Sequence, residues 1–251
     1  MRLQRNNWTQ AEEYFKHNDM VILAVGSVEC HGKHVALGTD FLVPTRIIEL
    51  MEPRTDVLIA PALPYGSTEY LAGFPGTVDL GSDVLHAVVG RICDSLYSHG
   101  ARKFLFMNGH GGNNAALQQV CMDLDKKGAM GCILNWWTLA WVLDPAWKGG
   151  HGGGEETAAM MAIGDDLVDT SLMMDNNIQH LTENLKTTGF GSINFKGFDI
   201  LTRRSVRKMS DNGWIGIDHP TTATKEWGQK MLEGCAQYAL DFIEEYKKVQ
   251  L

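Results

Sequence analysis

The sequence has no long hydrophobic run. Its longest apolar stretch, from Met20 to Gly26, is far shorter than the roughly 20 residues that a membrane-spanning helix needs. Residues 1–15 are too polar to contain the hydrophobic part of a signal peptide. We therefore expect a cytoplasmic protein that has no membrane partner.

Positive charge is scarce as well. The chain carries 22 lysines and arginines against 30 aspartates and glutamates, which gives a formal net charge of −8. Nucleic acid is excluded as an expected partner, because contacts with phosphates need concentrated positive charge. One basic cluster consists of Arg203, Arg204, Arg207 and Lys208. We interpret it as a solvated loop or strand edge, with an anion site or a subunit contact as the alternative.

Cysteine is sparse and its spacing is irregular. The five cysteines are scattered along the chain and form no CxxC pair. Disulfide frameworks and structural zinc sites need an even, patterned set of cysteines. The pattern therefore excludes both and predicts reduced thiols.

Short apolar runs recur along the first part of the chain and alternate with helical patterns. The runs lie at 20–26, 57–61, 103–107 and 131–137, each bounded by polar residues or glycine. Such runs are typical of strands that are covered on both faces. Alternation of these strands with helices predicts an α/β fold with a mostly parallel sheet.

The predicted helices have apolar residues three and four positions apart. This spacing occurs over residues 83–99 and 114–126, and again over 227–242, where it predicts a long final helix. Near the N-terminus, Thr9 and Glu12 form a capping-box pattern, which predicts a first helix after Thr9, from about residue 10 to 17.

No repeat, low-complexity tract or linker divides the chain. We therefore expect a single domain over residues 1–251. Residues 175–220 show no clear secondary-structure pattern.

A cluster of polar side chains follows the first predicted strand. Glu29, His31 and Asp40 lie just past its carboxyl end, the edge at which open α/β sheets bind ligands. Residues two apart in an extended segment point to the same side, so Glu29 and His31 can converge while Cys30 faces elsewhere. Carboxylate oxygens and imidazole nitrogens together suit a divalent ion such as zinc, manganese or iron.

Two further clusters are expected at the same edge of the sheet. His110 lies in the glycine-rich turn Asn108–Asn113, directly after the strand predicted at 103–107. His151 lies in a second glycine run, which ends with Glu155 and Glu156 at a predicted helix start. Either glutamate is a candidate metal ligand, and His151 is a candidate proton-transfer group. The first turn matches neither the dinucleotide-binding nor the P-loop pattern, which argues against a phosphate site.

Together the clusters offer three carboxylates and two imidazoles. A single catalytic zinc with an open position usually keeps three protein ligands, so this set is too large for one ion. Two divalent ions bridged by a carboxylate would use all of them, which predicts metal-assisted hydrolysis. A non-catalytic or nucleotide-binding α/β domain is the alternative from another functional class.

On these motifs the chain resembles the creatininase, or creatinine amidohydrolase, family. The resemblance covers roughly residues 20–230 and includes several segments in the order of the family. They are Glu29-x-His31 with Asp40, Phe74-Pro-Gly-Thr77 after Pro64-Tyr-Gly66, Asn108-Gly-His110-Gly-Gly-Asn113, His151-Gly-Gly-x-x-Glu156-Thr157, and Gly213-x-x-Gly216 with Asp218 and Pro220.

The resemblance implies a three-layer α/β/α sandwich and a site with two metal ions. Glu29, His31, Asp40, His110 and Glu156 would be the ligands, with Asp40 as the bridge. His151 matches the histidine that gives a proton to the leaving group. Members of the family commonly assemble as hexamers, so the resemblance also implies a homohexamer.

The substrate that the resemblance implies is a small cyclic molecule. We expect a creatinine-like cyclic amide, opened by metal-bound hydroxide, in a pocket with Trp137, Trp147, Gly111 and Ser67. Trp136 and Trp141 are further candidates for its wall. Hydrolytic carbon–carbon ring opening of an inosose-type cyclic diketone is the alternative.

The chain also departs from the pattern of the creatinine-hydrolysing members. They carry a glutamate two residues after the histidine that corresponds to His110, where this chain has Gly112. The metal site therefore depends on Glu156. Cys30 stands where the family usually has glutamine or another polar residue.

Overall fold

Four parallel strands form the central sheet of the computed structural model, which describes all residues from 1 to 251. The strands are β1 (Met20–Val25), β2 (Leu58–Ile59), β3 (Lys103–Asn108) and β4 (Met130–Asn135). Their order across the sheet is β2-β1-β3-β4, and every neighbouring pair is parallel. The predicted mostly parallel sheet is confirmed.

Seven helices accompany the strands. They are α1 (Trp8–His17), α2 (Thr39–Met51), α3 (Ser82–Ser98), α4 (Asn114–Asp125), α5 (Trp136–Leu143), α6 (Gly154–Ile163) and α7 (Lys225–Tyr246). None of them combines the length and hydrophobicity that crossing a membrane would require.

Helices cover both faces of the sheet, as alternate residues of β1 show. Val21, Leu23 and Val25 belong to an apolar cluster with residues of α1, α3 and α4. Ile22 and Ala24 belong to a second cluster with residues of α2, α5, α6 and α7. Successive side chains of a strand point to opposite faces, so the sheet lies between two helical layers. The predicted three-layer α/β/α sandwich is confirmed.

Two predicted boundaries were wrong. The first helix begins at Trp8 and not after Thr9, because Asn7 forms the capping box. The Asn7 side chain accepts from the Gln10 backbone N–H at 3.1 Å, and Gln10 Oε1 accepts from the Asn7 N–H at 3.0 Å. The strand predicted at 131–137 ends at Asn135, and Trp136 starts α5. An apolar run that continues from a strand into a helix does not mark the boundary between them.

Residues 175–220, which show no clear pattern in the sequence, contain a small antiparallel sheet. Its strands are β5 (Lys186–Gly189), β6 (Ser192–Phe195) and β7 (Phe198–Leu201), in the order β5-β6-β7. Each strand has only four residues and all of β7 is exposed, so the segment is too short to give a clear strand pattern.

Candidate metal centre

The carboxyl ends of β1 and β3 lie side by side, and this brings the predicted clusters together. Val25 pairs with Asn108 in the register of the two strands. Beyond these ends, Glu29 and His31 lie in the loop after β1, and His110 follows β3. Asp40 lies in the first turn of α2. Gly109 permits the close approach, because a Cβ atom on it would overlap the backbone carbonyl of Asp40.

Three of these side chains form a first group. His110 Nδ1 lies 2.9 Å from Asp40 Oδ2 and 3.1 Å from Glu29 Oε1. The ligand atoms of all three residues are close enough to surround one ion. Glu29 is fully buried and Asp40 is 2% exposed, so water solvates neither carboxylate well.

A second group lies on the other side of Asp40. His31 Nε2 is 3.0 Å from Asp40 Oδ1 and 3.4 Å from Glu156 Oε2. These three residues could also surround one ion. Asp40 therefore belongs to both groups and directs a different carboxylate oxygen toward each histidine.

Hydrogen bonds behind the groups orient their side chains. His31 Nδ1 lies 3.0 Å from the Glu29 carbonyl, and His110 Nε2 lies 3.0 Å from the Ser67 carbonyl. A carbonyl accepts, so each of these ring nitrogens carries the proton and the opposite nitrogen is free to bind a metal. Ser27 Oγ donates to Glu29 Oε2 at 2.8 Å, and the Gly152 N–H donates to Glu156 Oε2 at 2.7 Å.

Two unpaired oxygen atoms indicate that the residues of the two groups fit divalent cations. Glu29 Oε1 and Asp40 Oδ2 are buried without a hydrogen-bond partner, and the approach of His110 Nδ1 to both lacks hydrogen-bond geometry. Buried carboxylate oxygens normally have a partner, since an unpaired buried charge is costly. Carboxylate oxygens and imidazole nitrogens are ligands that zinc and manganese accept.

The carboxylates also control protonation of the two histidines. Burial alone would lower the pKa of His31, but the charges of Asp40, Glu156 and Glu29 outweigh it and raise the pKa to about 10. Burial opposes protonation of His110 too, while Glu29 and Asp40 raise its pKa well above the usual value. Conversely, His31 and His110 overcome the effect of burial and lower the pKa of Asp40. Protons and metal ions therefore compete for the same atoms.

His151 lies beside the groups. Its Nε2 is 2.7 Å from the Cys30 carbonyl, and its Nδ1 is 3.8 Å from Glu29 Oε1. Its ring lies against the ring of His31, with centroids 4.3 Å apart, and packs in a T-shaped arrangement with the ring of Phe190, with centroids 4.6 Å apart. Burial and the neighbouring His31 charge lower the pKa of His151 well below its usual value.

The structure distinguishes the two adjacent glutamates. Glu156 reaches His31, whereas Glu155 accepts a hydrogen bond from Trp141 Nε1 at 2.8 Å. Burial raises the pKa of Glu155 to about 9 and that of Glu156 to about 7. Of the two candidates, only Glu156 therefore joins the cluster of ligand atoms.

A cavity of about 680 Å³ opens onto these residues. Ser67, Gly111 and Trp137 line it, together with His110 and His151, as the sequence predicts. Trp141 also lines it, four positions after Trp137 on α5, a spacing that places both indoles on one face of the helix.

The other two tryptophans that were candidates for the pocket wall lie elsewhere. Trp147 is not among the residues that line the cavity; its ring lies against Gly234 of α7, because the turn that follows α5 carries it to that helix. Trp136 is fully buried in the apolar core. Phe190 and Arg203 line the cavity instead, and no sequence pattern indicated this position for either.

Cys30 faces away from the metal ligands, as expected from the alternation argument. Its side chain packs in a small apolar cluster with Leu71, Phe74, Val206 and Met209. Burial raises the pKa of its thiol, so the thiol stays protonated and unreactive.

Comparison with known proteins gives a consistent result. The family model for creatininase, described as creatinine amidohydrolase, matches residues 4–243. Creatinine amidohydrolase of Pseudomonas putida is 29% identical, over 95% of this chain and 94% of that protein. Mycofactocin precursor peptide peptidase of Mycolicibacterium smegmatis is 30% identical, over 86% of this chain and 83% of that protein. 3-Dehydro-scyllo-inosose hydrolase of Thermotoga maritima is 32% identical, but over only 41% of this chain and 33% of that protein.

Solved structures give the same family. A manganese creatininase superposes with a TM-score of 0.76 at 26% identity, over 99% of both chains. A mutant creatininase of the Zn-Zn type has a TM-score of 0.74 at 26% identity, over 99% of this chain and 98% of that chain.

Proposed function

Because this chain belongs to the creatininase family of hydrolases, we propose that it is a dinuclear metal-dependent amidohydrolase that opens a small cyclic amide. We also propose that residues 1–251 form a single domain. The observation that carries the proposal is the position of Asp40, which lies within hydrogen-bond distance of both His31 and His110. A carboxylate shared by two groups of ligands is the usual bridge of a two-metal hydrolase site.

Two sets of residues would hold the ions. Glu29, Asp40 and His110 would hold one, and His31, Asp40 and Glu156 would hold the other. Related structures described as a manganese and a Zn-Zn creatininase support the use of divalent ions, with zinc, manganese or iron as the candidates. When bound, such ions would polarise a carbonyl and make hydroxide available near neutral pH.

His151 would transfer the proton. The Cys30 carbonyl accepts from its Nε2, which leaves Nδ1 on the side of Glu29 as a proton acceptor. His151 Nδ1 can therefore take a proton from the attacking water and deliver it to the departing ring nitrogen. Phe190 and the ring of His31 enclose the imidazole from two sides and hold it in place.

The cavity supports a small substrate. Its volume of about 680 Å³ lies within the usual range of small-molecule pockets. Trp137 and Trp141 would contact the flat faces of a cyclic amide, and Ser67 could hydrogen-bond to its polar edge.

Assembly as a homohexamer and a cytoplasmic location stay predictions.

A second candidate reaction uses the same residues. Carbon–carbon ring opening of an inosose-type diketone is favoured by the inosose hydrolase relative, although that match covers only 41% of this chain. The amide reaction has broader support, since the creatinine amidohydrolase relative covers 95% of the chain.

Metal content and ring opening together test the proposal. The chain would be purified without chelators, its metals counted by plasma mass spectrometry, and its turnover measured on creatinine, a panel of other cyclic amides and an inosose-type diketone. Two ions per chain with amide turnover would support the proposal. Turnover of the diketone alone would select the second reaction, and fewer than one ion per chain after addition of zinc and manganese would overturn both.

A further inference from the structure

The antiparallel sheet forms the wall of the cavity that faces His151. Phe190, in the turn between β5 and β6, brings its ring to 4.6 Å from the imidazole of His151. The segment after β7 is tied to this turn, since the Thr202 N–H donates to the Gly191 carbonyl at 2.9 Å. The next residue, Arg203, lines the cavity. This wall therefore carries a permanent positive charge to a cavity whose other acidic and basic side chains are carboxylates and histidines.

Arg203 is exposed, and its guanidinium lies over an aromatic ring at the cavity. Its Cζ lies 4.9 Å from the centroid of the Tyr70 ring, a cation–π distance. Gly191 leaves room for it, because a Cβ atom at that position would lie 3.2 Å from Arg203 Nη1. The side chain thus lies between an aromatic ring and a glycine.

No protein group pairs with this exposed charge, so its donors are accessible to solvent or to a ligand. Arg203 makes no side-chain hydrogen bond and has no carboxylate within 4.0 Å, whereas Arg204 donates to Thr187 Oγ1 at 3.0 Å and Arg207 donates to the Asp211 carbonyl at 3.1 Å. Glu69 also lines the cavity, but it forms no ion pair with Arg203. Within the basic cluster, Arg203 alone lines the cavity and has its donors free.

We infer that Arg203 is a specificity-determining residue that binds a carboxylate of the substrate, at a position separate from the bond that is cleaved. The inference rests on the proposed function and narrows its substrate class to small cyclic amides that carry a carboxylate. A guanidinium presents parallel N–H groups that match the two oxygens of a carboxylate. A single guanidinium balances one negative charge, so a dianionic phosphate fits this wall less well than a carboxylate does.

Matched pairs of rings test the inference on the metal-loaded protein. 5-Oxoproline with 2-pyrrolidinone, and dihydroorotate with dihydrouracil, differ within each pair by one carboxylate. Calorimetry should show that the wild type binds the acid of at least one pair about 10-fold or more tightly than its neutral partner, as expected for a charged hydrogen bond. Arg203→Gln should abolish that preference, and Arg203→Lys should keep part of it.

Arg207→Gln is the matched control, because its guanidinium lies over Phe74 and does not line the cavity. It should keep the full preference. Equal binding within both pairs by the wild type, or a preference that survives in Arg203→Gln, would overturn the inference; in the latter case the carboxylate binds the metals. Metal counts and melting temperatures equal to those of the wild type would show that the variants are folded and loaded.

The two proposals fail in different ways. A carboxylate preference that depends on Arg203, without hydrolysis of any ring, would contradict the amidohydrolase proposal and keep the anion site. Hydrolysis of neutral rings at the same kcat/KM as their acids would contradict the anion site and keep the amidohydrolase proposal.

Discussion

Asp40 directs one carboxylate oxygen at His31 and the other at His110, at 3.0 Å and 2.9 Å. The two histidines are each accompanied by one further carboxylate, Glu156 beside His31 and Glu29 beside His110. Because only Asp40 belongs to both groups, its loss and the loss of one flanking carboxylate should have different effects on metal content.

Substitutions in these carboxylates should therefore change metal stoichiometry in steps. Asp40→Asn should leave the chain with almost no bound metal, while Glu156→Gln should leave about one ion per chain if the site holds two. Plasma mass spectrometry of protein purified in parallel measures this. Glu155→Gln is the matched control, since Glu155 bonds to Trp141 and should keep the metal content of the wild type. Equal metal loss in the Glu155 and Glu156 variants would contradict the assignment.

Replacement of His151 should separate metal binding from turnover. His151 contacts the Cys30 carbonyl and approaches Glu29 only to 3.8 Å, so His151→Ala should keep the metals. Turnover should fall by roughly 10²–10⁴-fold, the usual contribution of a positioned acid or base. His86→Ala, at a half-buried position away from the site, is the control. Unchanged turnover in His151→Ala would remove the proposed role.

The parts of the site that the sequence predicts come from local signals. Glu29 and His31 directly follow a buried strand, and His110 follows another, so their position at one edge of the sheet depends only on strands that are parallel. The choice between Glu155 and Glu156 could not be made from helix spacing alone. It is decided by the rotation of α6, which turns Glu156 toward His31 and Glu155 toward Trp141.

The opposite wall could not be predicted, because it depends on packing between distant segments. Phe190 lies in the turn before β6 and Arg203 follows β7, so neither belongs to a strand whose pattern could have indicated its position. Nothing near these residues in the sequence indicates that they face His151. The family resemblance also placed Trp147 in the pocket, but the turn after α5 carries it to α7.

Metal binding should release protons and strengthen as the pH rises. Carboxylates raise the pKa of His31 to about 10, and burial raises that of Glu156 to about 7, so both groups hold protons near neutral pH before a cation binds. These protons must leave when the atoms become ligands, so the apparent affinity should increase as the pH rises through about 7 and on to about 10. Calorimetric titration of metal into apoprotein, in buffers of different ionisation enthalpy, counts them. A binding heat that is independent of the buffer would contradict this prediction, and His31→Gln should release fewer protons than the wild type.

Gly112 should be required for the position of His110. Creatinine-hydrolysing members of the family carry a glutamate at this place, but here a Cβ atom would overlap both the Ser67 carbonyl and the His110 ring. Those two groups form the 3.0 Å contact that leaves His110 Nδ1 free for a metal. Gly112→Ala should therefore displace the imidazole, lower metal content and destabilise the protein by about 1–3 kcal/mol.

Gly111→Ala provides the control for this effect, because the only neighbour of its added Cβ atom is Trp137, at an ordinary 3.8 Å. Metal analysis and urea unfolding would compare the two variants. The steric argument also predicts that Gly112→Glu fails to restore metal binding to Glu156→Gln, although it supplies the carboxylate that creatinine-hydrolysing members carry there. Recovery of two ions per chain in that double variant would mean that the turn after His110 relaxes, and that Gly112 marks a replaceable ligand position and not a packing requirement.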